Sequence, residues 1–163
     1  MSIDPRFATH VEPLPAMLKQ LLASQPFTYV TSPPYPERGG VYLFTEAGDK
    51  GQADEHMYVG RTGNLRQRLA QHCRPSSGHN SAPFTFLLAR QATGQLTATY
   101  RAGTGRDALM IDPIFAAAFR AQNARINRML IRYVEDDNQY RQTLFEVYAA
   151  VVLHTRYNDF DNH

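Results

Sequence analysis

Apolar residues recur every three or four positions between Val11 and Ser24, at Leu14, Met17, Leu18, Leu21 and Leu22, and predict an amphipathic helix. Residues 1–10 lack that period and read as a loosely docked end. Thr31 to Arg38 contains Pro33, Pro34 and Pro36 and reads as a linker, so the main domain is expected to start at Gly39. Gly40 to Thr45 is rich in Val, Tyr and Phe and predicts a strand. A polar, glycine-containing loop over Glu46 to Glu55 leads to a second short strand, His56 to Gly60, and the two should pair antiparallel. Asn64 is a good N-cap for a helix running to about Cys73, with Leu65 and Leu69 as its apolar edge. Pro83 suits the first turn of another helix, to about Gln91. Gly94 to Gly105 gives no clear pattern. Asp112-Pro113 opens an apolar, Ala-rich helix to about Asn123, and Ile126 to Val134 alternates as a third strand. Asp136 or Asp137 is then placed to cap a long helix to about Thr155.

At 163 residues, with 43% hydrophobic and 20% charged positions, the chain has the composition of one globular domain. No run approaches the roughly 20 apolar residues of a membrane helix, and the first residues carry no apolar signal core. The only cysteine, Cys73, has no internal disulfide partner and reads as a small buried hydrophobe, which suits a reducing cytoplasm. The net charge of +2 is uninformative until it is mapped. From His56 to Arg106 there is no acid, while Arg61, Arg66, Arg68, Arg74, Arg90, Arg101 and Arg106 give that stretch +7, leaving −5 for the rest. Lys19 and Lys50 are the only lysines. Arginine binds phosphate through a planar, bidentate fork, so the bias points to a polyanion such as nucleic acid. A solvated surface of uneven sign is the plainer reading of the same count.

Two short signals stand close together: Gly40-Val41-Tyr42 and Tyr58-Val59-Gly60, the second continuing through Asn64-Leu65 to Arg68 and His72. Glu146 follows in the last predicted helix and Asn158 just after it. In this order and spacing the residues resemble the GIY-YIG nuclease family, over Gly39 to about Phe160. The resemblance implies an α+β fold, a small three-stranded antiparallel sheet flanked by helices, here preceded by an N-terminal helical extension. It divides the chain into an N-terminal helix and Pro-rich linker (1–38) and a nuclease-like domain (39–163) carrying an insertion around 92–124.

The resemblance further implies a metal-dependent endonuclease that hydrolyses phosphodiester bonds in DNA with one Mg²⁺ or Mn²⁺ ion. Tyr42 becomes the general base for water; with a phenol's ordinary pKa of about 10 it needs a nearby cation or metal to act so. Tyr58 positions water or phosphate, Arg68 clamps the scissile phosphate, and His72 orients phosphate or assists proton transfer. Glu146 is the metal ligand, since a hard dication commonly takes one or two carboxylates plus waters and phosphate oxygens. Ala149 and Ala150 would leave room beside it, while Leu144, Val147, Tyr148 and Val151 pack inward. Asn158 locks the tail near the site. Arg61, Arg66, Arg74 and His79 are the candidate nucleic-acid contacts. The partner expected is DNA and not a membrane; a homodimer or a separate recognition partner is left open. The rivals are a non-cleaving nucleic-acid-binding module on a nuclease scaffold and a structural interaction domain.

Overall fold

The computed structural model describes residues 3–95, 105–158 and 160. Its elements run α1 (Pro5–Val11), α2 (Leu14–Ala23), β1 (Gly40–Glu46), β2 (Glu55–Thr62), α3 (Leu65–Cys73), α4 (Pro83–Thr93), α5 (Arg106–Ile111), α6 (Pro113–Ile126), β3 (Leu130–Glu135) and α7 (Gln139–Leu153). The fold is α+β, with one antiparallel sheet in the order β2-β1-β3. The chain falls into two units: residues 1–67 with 129–163, and residues 68–128.

The first unit is built on the sheet. Val41 and Leu43 of β1, Val59 of β2 and Val134 of β3 share one face, in a buried cluster with Leu14, Met17, Leu18 and Leu21 of α2 and Phe145 and Ala149 of α7. The N-terminal helix is therefore part of the sheet's own core. Alternation puts Tyr42 and Phe44 on the opposite face. There Tyr42 is edge-on to Phe44, and Leu65, in the first turn of α3, stands over Gly40, where a Cβ would meet its Cδ1 at 2.8 Å. The start of α3 is fixed from both sides. Asn64 Oδ1 accepts from Gln67 N at 2.9 Å, and the amides of Leu65 and Arg66 donate to the carbonyls of Arg38 and Pro36.

The second unit is helical. Its core cluster joins Ala82, Phe86 and Ala89 to Phe115 and Phe119 of α6, with Leu109 and Met110 of α5 packed against it. Asn123, buried on the inner face of α6, donates through Nδ2 to the carbonyls of His72 (3.1 Å) and Arg74 (3.3 Å).

Several sequence-based boundaries are corrected. Residues 5–11 form a helix, because Asp4 caps the amides of Arg6 and Phe7 and Pro5 occupies the first turn; Pro13, which has no amide to donate, separates it from α2. Asp136 and Asp137 do not cap α7. Their carboxylates are taken by Arg141 and by Arg38 with the Gly39 amide, and Asn138 caps the helix by accepting from Arg141 N. Ile126 ends a helix and does not start a strand, since the inner face of α6 buries both Asn123 and Ile126. The short α5 had no sequence signal. Most of the unpatterned stretch from Gly94 to Gly105, Arg101 included, lies outside the described residues.

Candidate active site

The two tyrosine motifs occupy neighbouring strands in direct register: Tyr42 opposes Gly60 and Phe44 opposes Tyr58. The Tyr42 and Tyr58 rings lie 6.5 Å apart between centroids. Gly60 is required by that arrangement. A Cβ there would overlap the Tyr42 hydroxyl, so only glycine lets the ring lie across β2. Tyr42 is buried, and its hydroxyl lies over the backbone of the edge strand.

One residue further along, Arg61 turns to the other face, opposite Val41, and its Nε donates to Glu146 Oε2 at 3.0 Å. Glu146 is 20% exposed and Arg61 44%. The carboxylate thus reaches solvent beside a half-exposed cation. The surroundings differ from expectation: Ala149 and Ala150 are buried, Ala149 within the sheet core, and do not open space beside the carboxylate. Val147 and Val151, expected to pack inward, are 42% and 61% exposed. The small alanines let α7 lie close to the strands, and the β-branched valines take the outer side.

Asn158 is tied to the second motif. Its Oδ1 accepts from Val59 N at 2.7 Å and its Nδ2 donates to Val59 O at 2.8 Å, while Thr155 Oγ1 donates to the same Oδ1 at 2.9 Å. The amides of Arg156 and Tyr157 donate to the carbonyls of His56 and Met57. Residues 155–158 therefore run along the free edge of β2 as a side rail.

Arg68 and His72 share a face of α3. In the helical unit Arg68 Nη1 donates to Gln71 Oε1 (3.2 Å) and to the Ser81 carbonyl (3.3 Å). His72 is fully buried, with Phe84 edge-on to its ring. Burial, and then the charge of Arg68, push its pKa down to about 3, so it is a neutral imidazole near pH 7. Burial likewise pushes the Cys73 thiol up to about 12, which makes it inert as a nucleophile. His79 Nε2 donates to Asp107 Oδ1 at 2.6 Å, and the guanidinium of Arg106 lies over the Phe86 ring, 4.8 Å from its centroid. Arg66 is held by the linker: Nε donates to the Tyr35 carbonyl at 2.8 Å and Nη1 to Glu37 at 2.6 Å. Arg74 is exposed.

Among the described residues no three His, Cys, Asp or Glu side chains gather as a metal cage. A single accessible carboxylate still suits Mg²⁺ or Mn²⁺, whose remaining positions go to water and substrate oxygens. The donor set fits on those terms, with Glu146 as protein ligand. Sequence reasoning missed the partners of these residues, Arg61 for Glu146 and Asp107 for His79. Both are tertiary pairings with no local signal.

No helix among the described residues is long and apolar enough to cross a membrane. No curated protein and no solved structure matches the chain. The family model of the GIY-YIG catalytic domain does match, over residues 38–96, which hold both tyrosine motifs, Arg68 and His72 but neither Glu146 nor Asn158. That match falls on two strands of the antiparallel sheet with both motifs side by side, and marks residues 38–96 as similar to a GIY-YIG catalytic domain.

Proposed function

We propose that the chain is a divalent-metal-dependent endonuclease that hydrolyses the phosphodiester backbone of DNA. The observation that carries this reading is the use of consecutive residues of one edge strand: Gly60 receives the Tyr42 hydroxyl and Arg61 holds Glu146. A base and a metal-binding carboxylate thereby address one short stretch of β2 from its two faces.

In the proposed reaction Tyr42 acts as the phenolate, its own proton having passed to solvent; a water oxygen attacks phosphorus and gives its proton to that phenolate oxygen, with Tyr58 orienting the water. The bond from phosphorus to the 3′ oxygen breaks, and that oxygen takes a proton from solvent. Arg68 supplies paired donors to the phosphate, where they stabilise the added negative charge. A metal ion on Glu146 would supply Lewis-acid stabilisation of the same charge. Arg61, released from Glu146 when the carboxylate takes a cation, becomes free to meet a phosphate. Asn158 acts through Val59, holding the second motif in place.

The test is incubation of the protein with supercoiled plasmid and with branched or nicked duplexes, in Mg²⁺, in Mn²⁺ and in EDTA. Metal-dependent nicking that disappears with Glu146→Ala is expected. Binding without cleavage in either metal would favour the non-cleaving module.

A further inference from the structure

Between Arg68 and Arg128 the chain has eight arginines, no lysine and only two acids, Asp107 and Asp112: a formal +6 that leaves −4 for the rest. Within this unit α6 turns Phe115, Phe119, Asn123 and Ile126 inward. Its outer side exposes Ala117, Arg120, Ala121 and Ala124, with Arg128 just past its C-terminal end. Among the described residues the guanidiniums of Arg120 and Arg128 make no hydrogen bond and no ion pair. Asp107 is engaged by His79, and Asp112 caps the opposite end of the helix. Arg120 to Ile126 rises about 9 Å along the α6 axis, and the turn through Asn127 carries the chain on to Arg128, eight positions from Arg120 and about 12 Å at helical rise. That span is comparable to the roughly 12 Å major groove of B-form DNA, and the alanines between them keep bulky side chains out of the way.

We infer that the outer face of α6 is a docking surface for the phosphate backbone of duplex DNA, with Arg120 and Arg128 as its two contacts. The inference rests on the nuclease reading for its choice of polyanion. It concerns a helix outside the matched residues 38–96. Two exposed cations without carboxylate partners, on an acid-poor unit, complement a polyanion and nothing neutral.

The experiment is fluorescence anisotropy of a labelled 20-base-pair duplex with the full chain in EDTA, over a range of salt. Wild type, Arg120→Ala/Arg128→Ala, Arg120→Glu/Arg128→Glu and Arg120→Lys/Arg128→Lys are compared. The alanine pair should reduce the slope of log K against log salt by about 1.8, near 0.9 for each lost phosphate contact. The glutamate pair should reduce it at least as much, while the lysine pair keeps it, because counterion release counts charges. An unchanged slope in the alanine and glutamate pairs, with helical circular dichroism retained, overturns the inference. So does a wild type that binds no duplex, or one that binds anionic vesicles of phosphatidylcholine and phosphatidylserine in place of DNA. Cleavage of the same duplex by wild type in Mg²⁺ is read separately. A chain that binds through α6 but does not cut keeps this inference and loses the nuclease reading; one that cuts, with binding indifferent to both charge-removing pairs, does the reverse.

Discussion

Arg38, Arg61, Arg66, Arg141 and Arg156, all in the sheet unit, each hold a carboxylate. In the helical unit, Arg74, Arg120 and Arg128 make no such contact among the described residues. Exposed ion pairs contribute little to stability, typically below about 1 kcal/mol, so the difference matters less for folding than for what each surface offers a partner. Cations already committed to carboxylates must break a contact before they meet a phosphate, whereas uncommitted ones need not. The contrast therefore separates two jobs. On the proposed reading the sheet unit carries the tyrosines and Glu146, where charge is held in place for chemistry, and the helical unit, apart from Arg68 at its start, carries charge that remains available for binding.

The strongest way to break this division is Glu146→Ala. It should lower the single-turnover rate at saturating DNA and Mg²⁺ by about 10³-fold, on the scale of other lost electrostatic stabilisers, and leave the salt slope of binding unchanged. A rate within tenfold of wild type would remove Glu146 from the chemistry and leave the tyrosines as the sheet unit's contribution. Tyr42→Phe comes next. The ring still fills its place over Gly60, and a loss of about 10²-fold or more in the same assay is expected from removal of a general base. Near-normal turnover would make Tyr42 a packing residue.

His72 sharpens the comparison from the helical side. Its folded pKa of about 3 lies below the ordinary 6.5, so the unfolded chain binds the proton more tightly. Its contribution is fully present above pH 6.5 and is lost progressively as pH falls toward 3. Urea titrations should find wild type less stable at pH 5 than at pH 7 by about 2 kcal/mol more than His72→Leu is. Equal pH dependence in the two proteins would mean that burial does not hold His72 neutral. The smallest effect belongs to Arg66→Ala. Its guanidinium is committed to Tyr35 and Glu37, so anisotropy should give a smaller change in salt slope than Arg120→Ala, well under one phosphate contact. A larger change would erase the distinction between committed and free arginines.

What the sequence disclosed was what short-range chemistry encodes. The motif strands, the Asn64 cap and the Pro83 start all rest on neighbours within a few residues, and all appear in the structure. The orientation of α7 differs from expectation: Val147 and Val151 point outward while Ala149 lies in the sheet core, because spacing around Glu146 does not say which side of the helix meets the strands. The sheet selected the smaller residue for close approach. The site's internal partners were illegible for another reason. Arg61 and Glu146 are 85 positions apart, and Val59 and Asn158 are 99 apart, so only the folded chain defines the pairs.

The rail formed by residues 155–158 has a consequence for solubility. An exposed edge strand offers unpaired amides and carbonyls to any passing chain and is a template for self-association. Here the Asn158 side chain presents to Val59 the donor and acceptor that a foreign strand would bring, and the Arg156 and Tyr157 amides cap the two carbonyl sites at His56 and Met57. Deleting the segment after Leu153 should uncover that edge in the middle of the second motif. The shortened protein is expected to sediment as concentration-dependent oligomers, its motif strand buried against a copy of itself where substrate should lie.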